Sequence, residues 1–259
     1  MKFFVYHFQV FLLIMIRLGA MVVIAPFYSS DIIPFRIKAA VCFMVTMIIF
    51  PFIAAKGYKL SGNMGEYFVM ALSEFAIGIY LGFLVSVIFA AFQLAGEFFA
   101  VQIGFGINEV LDPLGQVSVP LVGQFKNLIG LLVFLAINGH HILLSAIVRS
   151  YELAPFFAYK KAVAGSLMKW LLYSFSGMFI VALKIALPVV AVVFLMEVSM
   201  GVLAKAAPQM NIMMLGFPFK IVVAFGVLFI VTPLIVRIMQ VSLERTFNFI
   251  QKILVYWPT

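Results

Sequence analysis

Residues 167–198 read LMKWLLYSFSGMFIVALKIALPVVAVVFLMEV, with charge only at Lys169, Lys184 and Glu197. The run is longer than the ~20 residues a helix needs to cross a bilayer core. It shows no strand-like alternation. In lipid, backbone groups must be satisfied within the segment, so a helix is the sensible assignment. Working outward, five more apolar segments follow the same pattern: 4–25, 37–55, 67–92, 128–148 and 215–241. The fold class expected is an all-α membrane protein of about six long helices, some kinked, as Pro188 suggests.

Composition agrees. The 259 residues are 66% hydrophobic and 10% charged, with a mean hydropathy of +1.22. An ordinary soluble domain is about half apolar and about a quarter charged. Water could cover this chain only by wetting large apolar patches. Its solvent is therefore lipid, or the apolar surface of other subunits. The net charge is +8, but Lys and Arg lie mainly in the breaks between apolar runs. No basic stripe with interleaved polar residues is present, so no nucleic-acid partner is expected. The six-span count and the positive-inside rule place both termini in the cytoplasm. Residues 1–26 read as a mature helix and not a signal peptide, because the apolar stretch is long and Arg17 interrupts it. Cys42 reads as a small buried hydrophobe.

The breaks are marked by Pro26 and Pro34, by the polar run 56–63, and by 149–169, which reads as an interfacial loop. The end of the chain, 244–259, reads as amphipathic.

Charges recur within or beside apolar runs: Arg17, Glu74, Lys184, Glu197, Lys205 and Arg237. An ionisable group in lipid is costly and normally faces the bundle interior or a wet path. These groups are expected to pair between helices or between subunits. The alternative is an ion relay through Arg17, Glu74 and Lys184. Glu74 could pair with Arg17 or with Lys184. His140 and His141 lack the further ligands that a metal site needs, so no metal or cofactor is expected. Neither a nucleophile–base pair nor a phosphate-binding glycine loop is recognisable, so no enzyme is expected. Gly78 and Gly82 have the small-xxx-small spacing that lets helices approach closely.

Residues 93–124 fit neither a span nor a solvated linker. Gly96, Gly104, Gly106 and Gly115 loosen the stretch, and Asp112-Pro113 disfavours helix, yet Phe98, Phe99, Ile103, Phe105, Ile107, Leu111 and Leu114 make it apolar. Irregular backbone at membrane depth is tolerated where it is buried or lines a cavity. The stretch is read as a flexible apolar plug in a pore or as a re-entrant packing loop. Further on, Met210, Met213 and Met214 form a flexible, polarizable patch that could seal a pore as a gasket or simply pack. The domain division expected is one unit over 1–259, with helical hairpins over 1–92, a central loop over 93–124 and helices over 125–259.

Four motifs in order carry a resemblance. They are Gly96 with Gln102-x-Gly104 and Asp112-Pro113; Asn138-Gly139-His140-His141; Gly201-x-x-x-Lys205-x-x-Pro208-Gln209-x-Asn211; and Gly216-x-Pro218-x-Lys220. Together they resemble the FliR/SctT family of type III export gate subunits, on the flagellar branch, over essentially the whole chain. Lys205 departs from the Arg that the family carries more often, which keeps charge but loses bidentate pairing. The resemblance implies a fold like FliP-like and FliQ-like parts joined in one chain, with kinked helices in hairpins. It implies a single-copy subunit of a hetero-oligomer with FliP-like and FliQ-like proteins, and FlhB-like and FlhA-like neighbours. The setting it implies is the flagellar basal body in the bacterial inner membrane, with part raised toward the periplasm, in contact with membrane lipid and with unfolded flagellar export substrates. The plug then maps to 103–120, with Ile103, Gly104, Phe105, Gly106, Ile107, Asn108, Leu111, Asp112, Pro113 and Gly115 as its candidate residues. The competing expectation is a small ion-coupled secondary transporter.

Overall fold

The structure is a computed structural model that describes residues 2–29, 33–58, 60, 63–104, 121–153, 161–206 and 212–255. Among these residues the only regular elements are eight helices. They are α1 (Lys2–Ile24), α2 (Pro26–Ser29), α3 (Phe35–Ala54), α4 (Met64–Ile103), α5 (Leu121–Ala136), α6 (Gly139–Leu153), α7 (Lys161–Ala206) and α8 (Ile212–Val255). The protein is an all-α membrane protein. Five helices are long and apolar enough to cross a bilayer, or six if α5 and α6 together count as one broken span.

Several boundaries differ from the sequence reading. Helix enters the loop expected over 93–124 from both sides: α4 continues through Gln93 to Ile103 and α5 begins at Leu121. Gly96 does not stop α4, because Ala95, Phe99, Ala100 and Ile103 around it are buried and their packing outweighs one glycine's propensity cost of about 1 kcal/mol. Helix likewise enters the interfacial loop expected over 149–169, since α6 reaches Leu153 and α7 starts at Lys161. The single span expected over 128–148 is two helices. Asn138 between them has φ +56°, a left-handed conformation that Asn adopts more readily than most residues. Its carbonyl accepts from His141 and Ile142 to start α6.

The chain divides into two compact units. The first comprises residues 1–87, 138–174 and 244–259, and the second 88–137 and 175–243. In the first, α1 packs on α3, and the N-terminal part of α4 crosses α1 at Gly78 and Gly82. A Cβ on Gly82 would stand 2.9 Å from the Met21 carbonyl oxygen, and one on Gly78 would fall on the Arg17 carbonyl oxygen. In the second, Phe99 and Ile103 of α4 share a core with Ala186, Val189 and Val193 of α7 and Ala224 of α8.

Length is the unusual property. α4 has 40 residues, α7 has 46 and α8 has 44. At 1.5 Å per residue each is about 60 Å or longer, twice the ~30 Å bilayer core. Charges also divide two of them. The longest uncharged run in α8 is 221–236, and in α7 it is 170–183. Both helices are apolar enough by length and composition to cross a bilayer, but an ionisable group inside the apolar stretch, Lys184 in α7 and Arg237 in α8, is costly in lipid.

Candidate functional site

The first unit holds a buried charge site. Arg17, on α1, and Glu74, on α4, have no solvent-exposed surface. Arg17 Nε donates to Glu74 Oε2 at 2.6 Å, and Nη2 donates to Oε1 at 2.8 Å. This is the bidentate fork that guanidinium and carboxylate geometry favours. Nη1 donates to Ser150 Oγ on α6 at 2.7 Å, and that hydroxyl donates onward to the Ile147 carbonyl. The ring of Tyr151 covers the guanidinium at 3.9 Å. Tyr58 donates from its hydroxyl to the Tyr151 carbonyl, and Tyr6 donates to the Tyr58 carbonyl. Burial raises the Tyr58 phenol above its ordinary pKa, with Arg17 opposing. The cluster thus joins α1, α4, α6 and the turn before α4. A nearby pair, Lys56 with Glu152 at 3.4 Å, is about half exposed and adds little.

The second unit holds a polar node. Glu197 on α7 accepts from Gln102 Nε2 on α4 at 3.0 Å and forms an ion pair with Lys220 Nζ on α8. Close by in sequence, Gly104 has φ +97°, and a Cβ there would stand 2.7 Å from Phe217 Cε2. A separate group is Lys126 on α5, which is 1% exposed. Its ammonium has no hydrogen-bond partner among the described residues and rests 3.6 Å from the centroid of the Phe99 ring. The ring's negative face offsets part of its desolvation.

Sequence placed the candidate residues unevenly. Ile103 is buried and ends α4. Phe105, Gly106, Ile107, Asn108, Leu111, Asp112, Pro113 and Gly115 lie outside the described residues. Met210 does too, while Met213 and Met214 lie on the first turn of α8. Of the six charges, Arg17 and Glu74 meet each other and Glu197 meets Lys220. Lys184, Lys205 and Arg237 are exposed and make no ion pair among the described residues. His140 lies against the His141 and Phe27 rings. No group of three potential metal ligands occurs among the described residues. Sequence reading missed Ser150, Tyr151, Tyr58, Lys126 and Gln102 as partners. Gln102 and Lys220, the latter also missed as the partner of Glu197, lay inside motifs and carried a signal.

The described geometry holds and aligns helices; it presents no paired acid and base. Comparison with known proteins identifies the family. Residues 8–246 match the family described as bacterial export proteins, family 1. The chain is 34% identical over 224 residues to the flagellar biosynthetic protein FliR of Bacillus subtilis, covering 86% of each chain. It is 28% identical over 254 residues to FliR of Escherichia coli, covering 94% of this chain and 92% of the relative. With FliR of Aquifex aeolicus the identity is 26% over 223 residues, covering 86% and 85%. The chain belongs to the bacterial export proteins, family 1, and within them to the FliR family.

Proposed function

We propose that this chain is a non-catalytic subunit of the flagellar type III export gate in the bacterial inner membrane. It forms part of the pore through which unfolded flagellar proteins cross, with the segment around 103–120 plugging the closed pore. Its partners are FliP-like and FliQ-like subunits, with FlhB-like and FlhA-like proteins beyond them. The observation that carries this reading is the mismatch in α8. Its most apolar window is only 11% buried within the chain, yet Lys220 and Arg237 lie inside the same apolar stretch, where a charge facing lipid is costly. Such a surface suits other protein subunits better than lipid. Met210, Met213 and Met214 supply a gasket, and Lys184, Lys205 and Arg237 are free to meet charges on neighbouring subunits.

The transporter alternative drew on Arg17, Glu74 and Lys184 as a path. Arg17 and Glu74 saturate each other, and a buried bidentate pair is a poor relay. The test is native mass spectrometry of the detergent-purified chain co-expressed with its FliP-like and FliQ-like partners. One copy of this chain in a single large complex is expected. A stable monomer or homodimer that ignores those partners would overturn the reading.

A further inference from the structure

Two motifs far apart in sequence, Gln102-x-Gly104 and Gly216-x-Pro218-x-Lys220, meet in the second unit. Glu197 links them with its two carboxylate oxygens, Oε2 taking the Gln102 amide and Oε1 the Lys220 ammonium. The backbone supplies two more contacts. Gly104 admits the Phe217 ring, and Gly216 lies where a Cβ would stand 2.7 Å from Met200 Sδ. The facing ends of α7 and α8 are thereby fastened to the last turn of α4. Leu195 and Val198, near Glu197 in sequence, and Phe219, next to Lys220, are exposed and apolar. Once lipid or protein covers them, the ion pair is screened less than it would be in water.

We propose that Glu197 is the positioning residue that fixes the last turn of α4, and with it the point from which the central segment departs. The consequence for the pore rests on the export-gate reading; the positioning itself does not. Chemistry supplies a discriminating variant. A glutamine amide can donate to a carboxylate or accept from an ammonium. Reversing the pair, Glu197→Lys with Lys220→Glu, therefore preserves both links once the Gln102 amide flips.

The experiment is hydrogen–deuterium exchange of residues 100–104 in the full chain, co-purified with its partner subunits. The Gly104 amide bonds to the carbonyls of Ala100 and Val101, so it reports this turn directly. Glu197→Leu is expected to speed exchange there by at least about tenfold, with residues 70–87 unchanged. Lys220→Met, which keeps the Gln102 link, should produce a smaller acceleration, and the double reversal should restore slow exchange. Unchanged exchange in both Glu197→Leu and Lys220→Met overturns the proposal. Fast exchange that persists in the reversed pair overturns charge pairing as its basis. Ion permeability measured on the same samples separates the two readings. Fast exchange with unaltered permeability supports the positioning role and counts against the pore.

Discussion

Arg17 and Glu74 face each other across α1 and α4 through two hydrogen bonds of 2.6 and 2.8 Å, with both side chains wholly buried. A buried pair need not stabilise a fold relative to apolar residues, but removing one partner strands the other. Arg17→Met or Glu74→Leu alone is expected to cost about 3–5 kcal/mol, read as a drop in the thermal midpoint of the purified complex. The double variant Arg17→Met with Glu74→Leu should recover most of that loss. If the double variant is as unstable as the sum of the singles, the pair is not the reason for the loss.

The helix crossing beside that pair makes a steric prediction. Gly78→Ala would drive a methyl into the Arg17 carbonyl, a backbone atom that cannot swing away. A cost of about 1–3 kcal/mol follows from overpacking. A Cβ on Gly177 would meet nothing within 4 Å among the described residues, so Gly177→Ala should gain about 0.5–1 kcal/mol from helix propensity. Equal effects at the two glycines, measured by thermal unfolding, would contradict the close approach at Gly78.

Lys126 offers the opposite experiment. Its ammonium is buried with no hydrogen-bond partner among the described residues, and a buried unpaired polar group costs about 1–3 kcal/mol. Lys126→Met keeps the stem's volume and removes that cost. The variant is expected to melt no lower than the parent, and higher by a measurable margin. A lower midpoint would mean that the contact with Phe99 outweighs desolvation.

The export-gate reading predicts a permeability phenotype. Deleting residues 105–115 should leave the complex assembled by native mass spectrometry while letting ions or small molecules leak through it. An assembled deletion variant with unchanged conductance in liposomes would remove the plug from the proposal.

Fold class was legible because apolar runs of this length have few alternatives in lipid. Helix ends were less so. Gly96 looked like a loosening residue, yet packing of Phe99 and Ile103 carried α4 past it. Asn138-Gly139 was visible as a motif, but the left-handed φ that breaks the span there belongs to the backbone. Charge pairing was undetermined at the level of residue type, since Glu74 suits Arg17 and Lys184 equally; only the Gly78 crossing selects Arg17. Lys126 carried no mark at all, because a lysine at a helix start usually reads as solvated.

The charge spacing in α7 and α8 bears on the chain's life before assembly. A nascent polypeptide presents these helices to the insertion machinery one after another, when no neighbouring subunit is yet in place. Each carries an exposed charge inside its apolar stretch, Lys184 in α7 and Arg237 in α8, which is costly to leave facing lipid. Under the export-gate reading the newly made subunit is then a short-lived substrate for membrane proteases until its partners cover it. Its abundance in the cell is set by how fast those partners are made, more than by its own rate of synthesis.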